Sequence, residues 1–493
     1  MESATVAAAD PKMHSLSADL ATRALAPDAL ALSRRQPQPI WLVCTRRPSL
    51  AEYTALARVA AQRGQPATVI IRSGMTAPDF SESHELVSVV NSDDLGSVDL
   101  GTLRTFALGS FGLLRVVARW LGRMRLTTVV EMIKTAEAVG RGYWFARFLA
   151  ARRGAPKAIA IADDRDIRDD AGLIQFARRN GIKTVTVNFG KSDARADFGR
   201  RAKDNTYIVG DAPARRLKAW MVRKAPHELF DKKNPVVFTP PGAFVVLWLV
   251  GGTLPVPWSY GGGNSDRTAV QNIEARDQLV AAGIAASRVK VTGQCTHDLL
   301  WLRNLERASI RSKLAEKYRL NADRPLLICS LPVLGEHNYL SDGDHRESTE
   351  FLLGVLARSQ SDVLLSLHPR QSRERYAALA ESHGASILDE PLSEVLPAAD
   401  AFVAYSSTLE WAQLLGIPSV ALEYFELGYC LFENMPGIVT VTRRADLPEA
   451  LNTVLFDRKK AATLKAQTES VRQSNCFDGG ASARVLDVIL EAC

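Results

Sequence analysis

Residues 385–422 read ASILDEPLSEVLPAADAFVAYSSTLEWAQLLGIPSVAL. Short apolar runs in this stretch alternate with short segments of helical pattern, which predicts a parallel sheet flanked by helices. The run that begins at Ala401 ends in three hydroxyl residues, Ser406, Ser407 and Thr408, which open the next helix. Because hydroxyl and backbone N–H groups at a helix start bind anions, this βαβ unit carries a candidate anion site.

The length and charge of the chain indicate its number of lobes and the kind of partner that it binds. Its 493 residues are too many for one hydrophobic core and leave room for two α/β lobes. The net charge of +7 favours anionic partners, namely nucleotide phosphates, lipid headgroups or nucleic acid. Six scattered cysteines, without a CxxC pair, give no zinc signature and favour free thiols in a reducing compartment.

Two segments bear on targeting and membranes. Residues 1–36 lack a basic start followed by an apolar core, so they do not resemble a secretory signal, and we expect a poorly ordered tail. The uncharged run 235–265 is interrupted by glycines and prolines before the roughly 20 apolar residues that a span requires. We expect a buried strand at Phe244–Val250 followed by a loop, with a membrane-dipping loop as the alternative.

Strand and helix patterns alternate at the start of the first lobe. Apolar runs at Ile40–Cys44 and Ala67–Ile71 flank a helix-period segment near 50–63, which predicts a strand, helix, strand unit. From about 103 to 153 the pattern is helical, and apolar positions alternate with arginines. These residues are Leu113, Leu114, Val117, Trp120 and Leu121, with Arg115, Arg119, Arg123 and Arg125. Such a helix lies either on an anionic membrane or against the core, covered by arginine stems.

Two adjacent carboxylates follow the next predicted strand. The run Ala158–Ala162 leads directly into Asp163 and Asp164. Charged residues at the carboxyl end of a parallel strand point into the crevice where open α/β sheets bind ligands, so either is a candidate general base. The alternative is that they cap the next helix and pair with Arg165 or Arg168.

A glycine-rich segment and a polar cluster follow. Residues 261–270 begin with three glycines but lack the GxGxxG pattern and a Walker lysine, so a flexible loop between lobes is expected. A helix near 271–282 and a strand from Val289 come next. The chain then leaves that strand toward the second lobe, so Gly293, His297 and Asp298 are expected to line the cleft, with a structural role as the favoured alternative for the lone His297.

After a helical connector at 304–322, the second lobe begins with the strand Pro325–Ser330. The loop 332–346 follows and carries an acid and imidazole cluster at the carboxyl edge of the sheet. Its members are Glu336, His337, Asp342, Asp344 and His345. Such a cluster performs acid and base chemistry, holds a divalent ion, or is a set of solvated loop charges.

The strand Val363–Leu367 ends at His368-Pro369-Arg370. Proline fixes the turn and holds the His368 ring at the strand end, and Arg370 offers a fork suited to phosphate oxygens. Ser406 and Ser407 occupy the equivalent place on another strand and point to the same phosphate site, although Ser407 or Thr408 is alternatively an ordinary N-cap. Glu410 is placed to accept ribose hydroxyls.

These motifs resemble those of bacterial GT-B glycosyltransferases of surface-polysaccharide synthesis. More loosely, they resemble the capsule, sialyltransferase-like and glycerophosphotransferase groups of that architecture. The resemblance rests on the stretches 265–267, 291–293, 367–370, 405–410, 415–418 and 477–482, and it extends over roughly residues 155–490.

The resemblance implies that His368, Ser406 and Ser407 bind the donor phosphate and that a carboxylate of the first lobe activates the acceptor. From their positions along the chain we also expect the nucleotide sugar to be bound by Arg370, Thr408, Glu410, Gly293, Glu336 and His337. Phe189 stands where relatives often have a histidine.

The expected fold is α/β, with two Rossmann-like lobes that each hold a parallel sheet. The expected domains are a tail at 1–36, an acceptor-side lobe at 37–310, a nucleotide-sugar lobe at 311–475 and a helix at 476–493. The resemblance implies that this last helix returns to the first lobe. The wide apolar face formed by its valines, leucines and isoleucine is consistent with that return.

Three functions follow as hypotheses. The first is transfer of a sugar from a nucleotide donor to a cell-surface glycan or lipid-linked acceptor, without a required cofactor and with a divalent cation as a lesser possibility. The second is a non-hydrolysing UDP-sugar 2-epimerase, although the Gly-Gln-His and His-Gly-Asp clusters of those enzymes are absent. The third is a non-catalytic nucleotide-sugar-binding subunit of an envelope complex. We expect a cytoplasmic protein, with a possible peripheral contact to the inner membrane face and no nucleic-acid partner.

Overall fold

The fold is built from short strands that pair in parallel. The computed structural model describes residues 37–45, 49–72, 75–80, 85–91, 126–187, 194–231, 233, 235–337, 339–427 and 432–492. From Pro39 onward the described residues belong to one structural unit. This unit contains two parallel sheets, which confirms the predicted pair of α/β lobes.

The first lobe is built on a parallel sheet with the order β3-β2-β1-β4-β5-β6-β7. Its strands are β1 (Ile40–Cys44), β2 (Ala67–Ile71), β3 (Val87–Asn91), β4 (Ala158–Ile161), β5 (Lys183–Val187), β6 (Arg267–Val270) and β7 (Val289–Val291). The order reverses between β1 and β4, as in doubly wound folds.

The second lobe repeats this plan with the order β10-β9-β8-β11-β12-β13, again all parallel. Its strands are β8 (Leu326–Ser330), β9 (Asp362–Ser366), β10 (Ser386–Ile387), β11 (Ala401–Ala404), β12 (Ser419–Leu422) and β13 (Ile438–Val441). The stretch 385–422 supplies three of these strands, and the order reverses between β8 and β11.

Helices cover both sheets. Those of the first lobe are α1 (Ser49–Gln62), α2 (Thr127–Arg153), α3 (Asp169–Arg179), α4 (Ala194–Arg201), α5 (Arg215–Lys224), α6 (Pro241–Leu249) and α7 (Ile273–Ala281). Two helices, α8 (Cys295–Leu305) and α9 (Arg307–Tyr318), connect the lobes. The remainder are α10 (Asp342–Ala357), α11 (Arg373–Ser382), α12 (Leu392–Val395), α13 (Leu409–Leu415), α14 (Leu447–Leu455), α15 (Arg458–Ser474) and α16 (Ala481–Glu491).

Strands β1 and β4 are apolar throughout because the first sheet is covered on both faces. In β1, Ile40, Leu42 and Cys44 belong to one hydrophobic cluster, whereas Trp41 and Val43 belong to another on the opposite face. The second sheet is also packed between two clusters. An apolar run without polar alternation therefore identifies these strands in the sequence.

The last helix, α16, returns to the first lobe as predicted. It packs on α1, α8 and the strands β4, β5 and β6. Val485, Leu486 and Ile489 are buried in the first-lobe core. The carboxylate of Asp298, on α8, accepts hydrogen bonds from the backbone N–H groups of Ala481 and Ser482 at 2.8 and 2.7 Å. Asp298 therefore anchors the start of the returning helix.

The expected strand at Phe244–Val250 is wrong, because these residues belong to helix α6 and its end. Pro241 occupies the first helical turn, where its fixed backbone angle is favourable. Gly242 lets α6 lie against α2, since a Cβ atom at 242 would be 2.4 Å from the carbonyl oxygen of Thr128. The pattern of a short apolar run fits a buried strand and a packed helix equally well, so the sequence alone does not distinguish the two structures.

The expected flexible loop between lobes at 261–270 is also wrong. Residues 267–270 form strand β6 inside the first sheet. The glycines before it pack closely on the first lobe, since a Cβ atom at Gly263 would be 2.1 Å from the carbonyl oxygen of Asp164. Gly261, with φ of +79°, provides the turn. These glycines serve close backbone packing.

A buried carboxyl group joins α1 to α8. Glu52 accepts hydrogen bonds from Gln294 Nε2 at 2.6 Å and from the backbone N–H and hydroxyl of Thr296 at 2.8 and 2.6 Å. Burial raises the pKa of Glu52 from 4.5 to about 7, against the lowering effect of these bonds. The folded chain therefore holds this proton more tightly than the unfolded chain does.

This pKa predicts a pH-dependent stability. Because the folded pKa is the higher one, the contribution of Glu52 is complete below about pH 4.5 and is lost as the pH rises to about 7. The loss is about 3 kcal/mol by the usual conversion. Glu52→Gln should remove it, so the difference in unfolding free energy between wild type and variant should change by about that amount between about pH 5 and pH 8 in urea titrations. An unchanged difference would contradict this.

Several predictions lie outside the described residues. These are the tail at 1–36, the arginine-bearing segment before residue 126 and the position of Phe189. The described part of the segment predicted to be helical forms α2. Among the described helices, none combines the length and the apolar character needed to cross a membrane.

Candidate functional site

A cleft of about 2100 Å³ separates the carboxyl ends of the two sheets. The first lobe contributes Thr45 after β1 and Asp163 after β4. The second contributes Ser330 at the end of β8, His368 after β9 and Ser406 after β11. In both sheets these positions lie at or beside the point where the strand order reverses, where open α/β sheets bind ligands. The cleft is therefore the candidate site.

The turn after β11 brings hydroxyl groups to the cleft. The side-chain oxygens of Ser406 and Thr408 are 2.5 Å apart, and Ser407 is exposed. Thr408 holds the N-cap position of α13 without a side-chain capping hydrogen bond, which disfavours the simple capping role for it. These residues and Glu410 all line the cleft. Their part in ligand binding stays a prediction.

The turn after β9 fixes one tautomer of His368. Its Nδ1 atom accepts a hydrogen bond from the backbone N–H of Arg370 at 3.1 Å, while its own backbone N–H donates to Gln371 Oε1 at 2.8 Å. An accepting Nδ1 leaves the proton on Nε2 in the neutral ring. Of this turn, His368 and Pro369 line the cleft, whereas Arg370 is exposed beside it and is outside the set of described lining residues.

A second imidazole lies beside His368. The rings of His337 and His368 are 5.7 Å apart in an edge-to-face arrangement. Burial lowers the pKa of His368, with further lowering by His337 and Arg370. Burial and Arg370 likewise lower the pKa of His337. Both rings are therefore largely neutral at pH 7, so each can donate one hydrogen bond without carrying charge.

The acid and imidazole cluster of the loop 332–346 is divided. His337 lines the cleft, but Glu336 accepts a hydrogen bond from Tyr376 at 2.6 Å, and that hydroxyl also contacts buried His345 at 2.9 Å. The carboxylate of Asp344 accepts a hydrogen bond from the hydroxyl of Ser341 at the start of α10. In the described part of the chain, no group of three or more His, Cys, Asp or Glu side chains is placed to hold a metal.

Gly293, His297 and Asp298 contact the C-terminal segment instead of the cleft. Gly293 has φ of +80°, and a Cβ atom there would be 3.0 Å from that of Ala481. His297 is buried against Phe477, and burial lowers its pKa to about 4. These contacts support the structural alternative. They give no support to Gly293 as a nucleotide ligand.

The contacts of Asp163 and Asp164 also favour the structural alternative. Asp163 Oδ1 accepts from the backbone N–H and Nε of Arg165 at 3.0 Å each, and Oδ2 accepts from its Nη2 at 3.2 Å. Asp164 accepts from the hydroxyl of Ser265 at 2.8 Å and lies beneath Gly263. Burial and Asp163 raise the pKa of Asp164. Only Asp163 lines the cleft, and a role as base stays a prediction.

The sequence did not single out the arginines of the first-lobe wall as site residues. The lining set from this lobe includes Arg72, Arg165, Arg168, Arg195, Arg200 and Arg201. The last three lie on α4, whose sequence ARADFGRR was the available signal. The pairing of Arg165 with Asp197 and the contacts of Arg201 with the rings of Phe238 and Trp258 bring together residues from distant parts of the chain, which no local pattern shows.

Comparisons with known proteins identify the fold. No protein-family profile and no curated protein match the sequence. The solved structure of UDP-GlcNAc 2-epimerase from Neisseria meningitidis bound to UDP-GlcNAc is similar with a TM-score of 0.52 and 11% identity, over 92% of this chain and 100% of that one.

Two further solved structures are similar to the same degree. A variant of the wall teichoic acid polymerase TagF gives a TM-score of 0.51 at 11% identity, over 93% and 89% of the two chains. The calicheamicin glycosyltransferase CalG4 gives 0.50 at 15% identity, over 93% and 98%. Together with the two parallel-sheet lobes, these neighbours show that the chain has a GT-B-like fold. The neighbours that share this fold include both a glycosyltransferase and an epimerase.

Proposed function

We propose that the protein is a glycosyltransferase that binds a nucleotide sugar on its second lobe. The observation that carries the proposal is the cleft itself, whose 2100 Å³ is about twice the upper end of ordinary small-ligand pockets. Hydroxyl and imidazole groups line its second-lobe wall, and arginines line the other. A cleft of this size has room for a donor and an acceptor at once, as a transferase requires.

The second-lobe groups suit the leaving diphosphate. In the transfer, an acceptor oxygen bonds to the anomeric carbon, the bond from that carbon to the phosphate oxygen breaks, and the electron pair leaves with the nucleoside diphosphate. The proton of the acceptor hydroxyl passes to a general base, for which Asp163 is the proposed candidate that lines the cleft. The Nε2–H of His368 and the hydroxyls of Ser406 and Ser407 are donors that can stabilise this developing charge. A ribose ring is the proposed partner of Glu410.

The acceptor is proposed to be a glycan or a lipid-linked glycan, with the protein at the inner face of the membrane. One surface supports this placement. Trp248 and Leu249 are exposed at the end of α6, and Trp248 packs edge to face on Trp220 of α5. Helix α5 also carries Arg215, Arg216, Arg223 and Lys224 and has no acidic residue. Exposed tryptophan and leucine beside cations suit an anionic lipid surface.

A thermal-shift panel tests the donor assignment. Purified protein is titrated with CMP, UDP, GDP, CDP, TDP and their common sugar conjugates. A nucleotide that binds only the folded protein should stabilise it by about 2.7 kcal/mol at 100 times its dissociation constant. No shift with any of these ligands would contradict the proposal.

A second arm separates transfer from epimerisation. The stabilising nucleotide sugar is incubated without acceptor. We expect the sugar to remain unchanged, with at most slow hydrolysis that releases nucleoside diphosphate. An epimerase would instead convert the sugar while the nucleotide stays attached, and that outcome would replace the proposed activity by the second hypothesis.

A further inference from the structure

Three guanidinium groups of the first lobe converge on one carboxylate. Asp197, on α4, is paired with Arg165 at 3.5 Å, with Arg201 at 3.3 Å and with Arg200. Arg165 is also paired with Asp163 at 3.0 Å. The group therefore holds three cations and two carboxylates and has a net charge of +1. All five side chains line the cleft.

This excess positive charge is partly removed from water. The side chains of Arg165 and Arg201 are only 7% and 19% exposed. Both guanidinium groups lie over the ring of Phe238, at 5.5 and 4.0 Å from its centre. A buried cation is costly unless an anion or a hydrogen-bond acceptor accompanies it. Arg165 and Arg201 already donate to the carbonyl oxygens of Pro257 and Phe238 as well as to the carboxylates. The cluster nevertheless holds one more cation than carboxylates, and this excess favours an anion from the cleft.

The two walls of the cleft differ in charge. Arg168 and Arg195 extend the first-lobe wall, whose described lining holds six arginines against four carboxylates, those of Asp163, Asp166, Asp197 and Glu274. Among the described residues that line the cleft from the second lobe, none is a lysine or an arginine, and Glu410 and Glu433 are present. Positive charge is therefore concentrated on the wall opposite the proposed nucleotide site.

We propose that the first-lobe arginines form a subsite for an anionic group, a phosphate or a carboxylate, carried by the acceptor. This inference rests on the proposed transferase function. Guanidinium groups match both anions through paired N–H donors. The site lies across the cleft from His368 and Ser406, so an anion there belongs to the substrate that enters against the first lobe. A neutral acceptor would leave the cluster without its compensating charge.

Binding of inorganic phosphate provides the test. Isothermal titration is performed in the Ser406→Ala/Ser407→Ala background at constant ionic strength, so that the proposed donor site does not contribute. Arg168→Gln/Arg200→Gln removes two exposed cations and leaves buried Arg165 in place. We expect the dissociation constant for phosphate to rise about tenfold or more, as for the loss of charge-assisted hydrogen bonds.

A matched control removes two arginines elsewhere. In Arg346→Gln/Arg443→Gln, the two side chains that are removed are 76% and 77% exposed, and each is paired with a carboxylate. They match Arg200, which is 75% exposed and is also paired with a carboxylate. The control should bind phosphate as the parent does. Equal phosphate affinity in the cleft variant and its parent, or an equal loss in the control, would overturn the subsite.

Nucleotide binding distinguishes acceptor from donor. The nucleoside diphosphate that stabilises the wild type should bind Arg168→Gln/Arg200→Gln within about threefold of its wild-type affinity. A tenfold loss would assign these arginines to the donor diphosphate and overturn the acceptor subsite. If no nucleotide binds while phosphate binding persists and depends on the arginines, the transferase proposal fails and the anion site stands.

Discussion

Replacing Ser406 and Ser407 together by alanine should lower the turnover number about 100-fold or more, because both hydroxyls are proposed to donate to the leaving diphosphate. Removal of a single such donor costs about 100-fold to 1000-fold in comparable sites. Folding should persist, since neither Ser406 nor Ser407 is buried. The measurement is release of nucleoside diphosphate from the donor that the thermal-shift panel identifies.

The chain offers a matched control for this variant. Ser359 and Ser361 also form a close pair, with hydroxyl oxygens 2.6 Å apart, but they precede β9 at the amino edge of the same sheet. Ser359→Ala/Ser361→Ala should keep full turnover. If the Ser406 and Ser407 double variant retained wild-type turnover with an unchanged melting temperature, the donor-phosphate assignment would be wrong.

The second lobe was the more predictable half, because its evidence is local. The three strands within residues 385–422 are short apolar runs separated by turn residues. Parallel strands carry their last residues to one edge of the sheet, so His368 and Ser406 were predicted to lie at the same edge from their strand positions alone. The structure places both in the lining of the cleft.

Local sequence patterns predicted the first lobe less completely. Phe244–Val250 has the composition of a strand, yet it belongs to helix α6 and its end, and this helix packs against α2. Arg165 and Asp197 are 32 residues apart in sequence, and their contact depends on the path between β4 and α4. Residues brought together by such long-range contacts have no spacing that a sequence pattern can detect.

For the same reason, the sequence did not distinguish which of two adjacent aspartates is the candidate general base. Asp163 and Asp164 both follow β4, but their side chains enter different surroundings. Asp163 is paired with the buried guanidinium of Arg165. Asp164 is covered by Gly263 and bonded by Ser265. Substitution of each by asparagine, which removes charge at nearly constant shape, separates the general-base role from the structural one.

Asp163→Asn should destabilise the protein strongly. It leaves the buried cation of Arg165 with the longer pairing to Asp197, at 3.5 Å, and breaking a buried ion pair costs about 3–5 kcal/mol. Asp164→Asn should change the unfolding free energy by less than about 1 kcal/mol, because burial already disfavours its charged form and raises its pKa. Urea unfolding at neutral pH measures both.

A general base would behave in the opposite way. Asp163→Asn would then keep its stability, and its turnover would fall because the proton of the acceptor would have no acceptor group. Loss of stability alone could also lower activity, so turnover is compared at a temperature where circular dichroism shows that the variant is folded. If the folded Asp163→Asn protein binds donor normally but has no turnover at any pH, Asp163 is the base and its pairing with Arg165 serves to orient it.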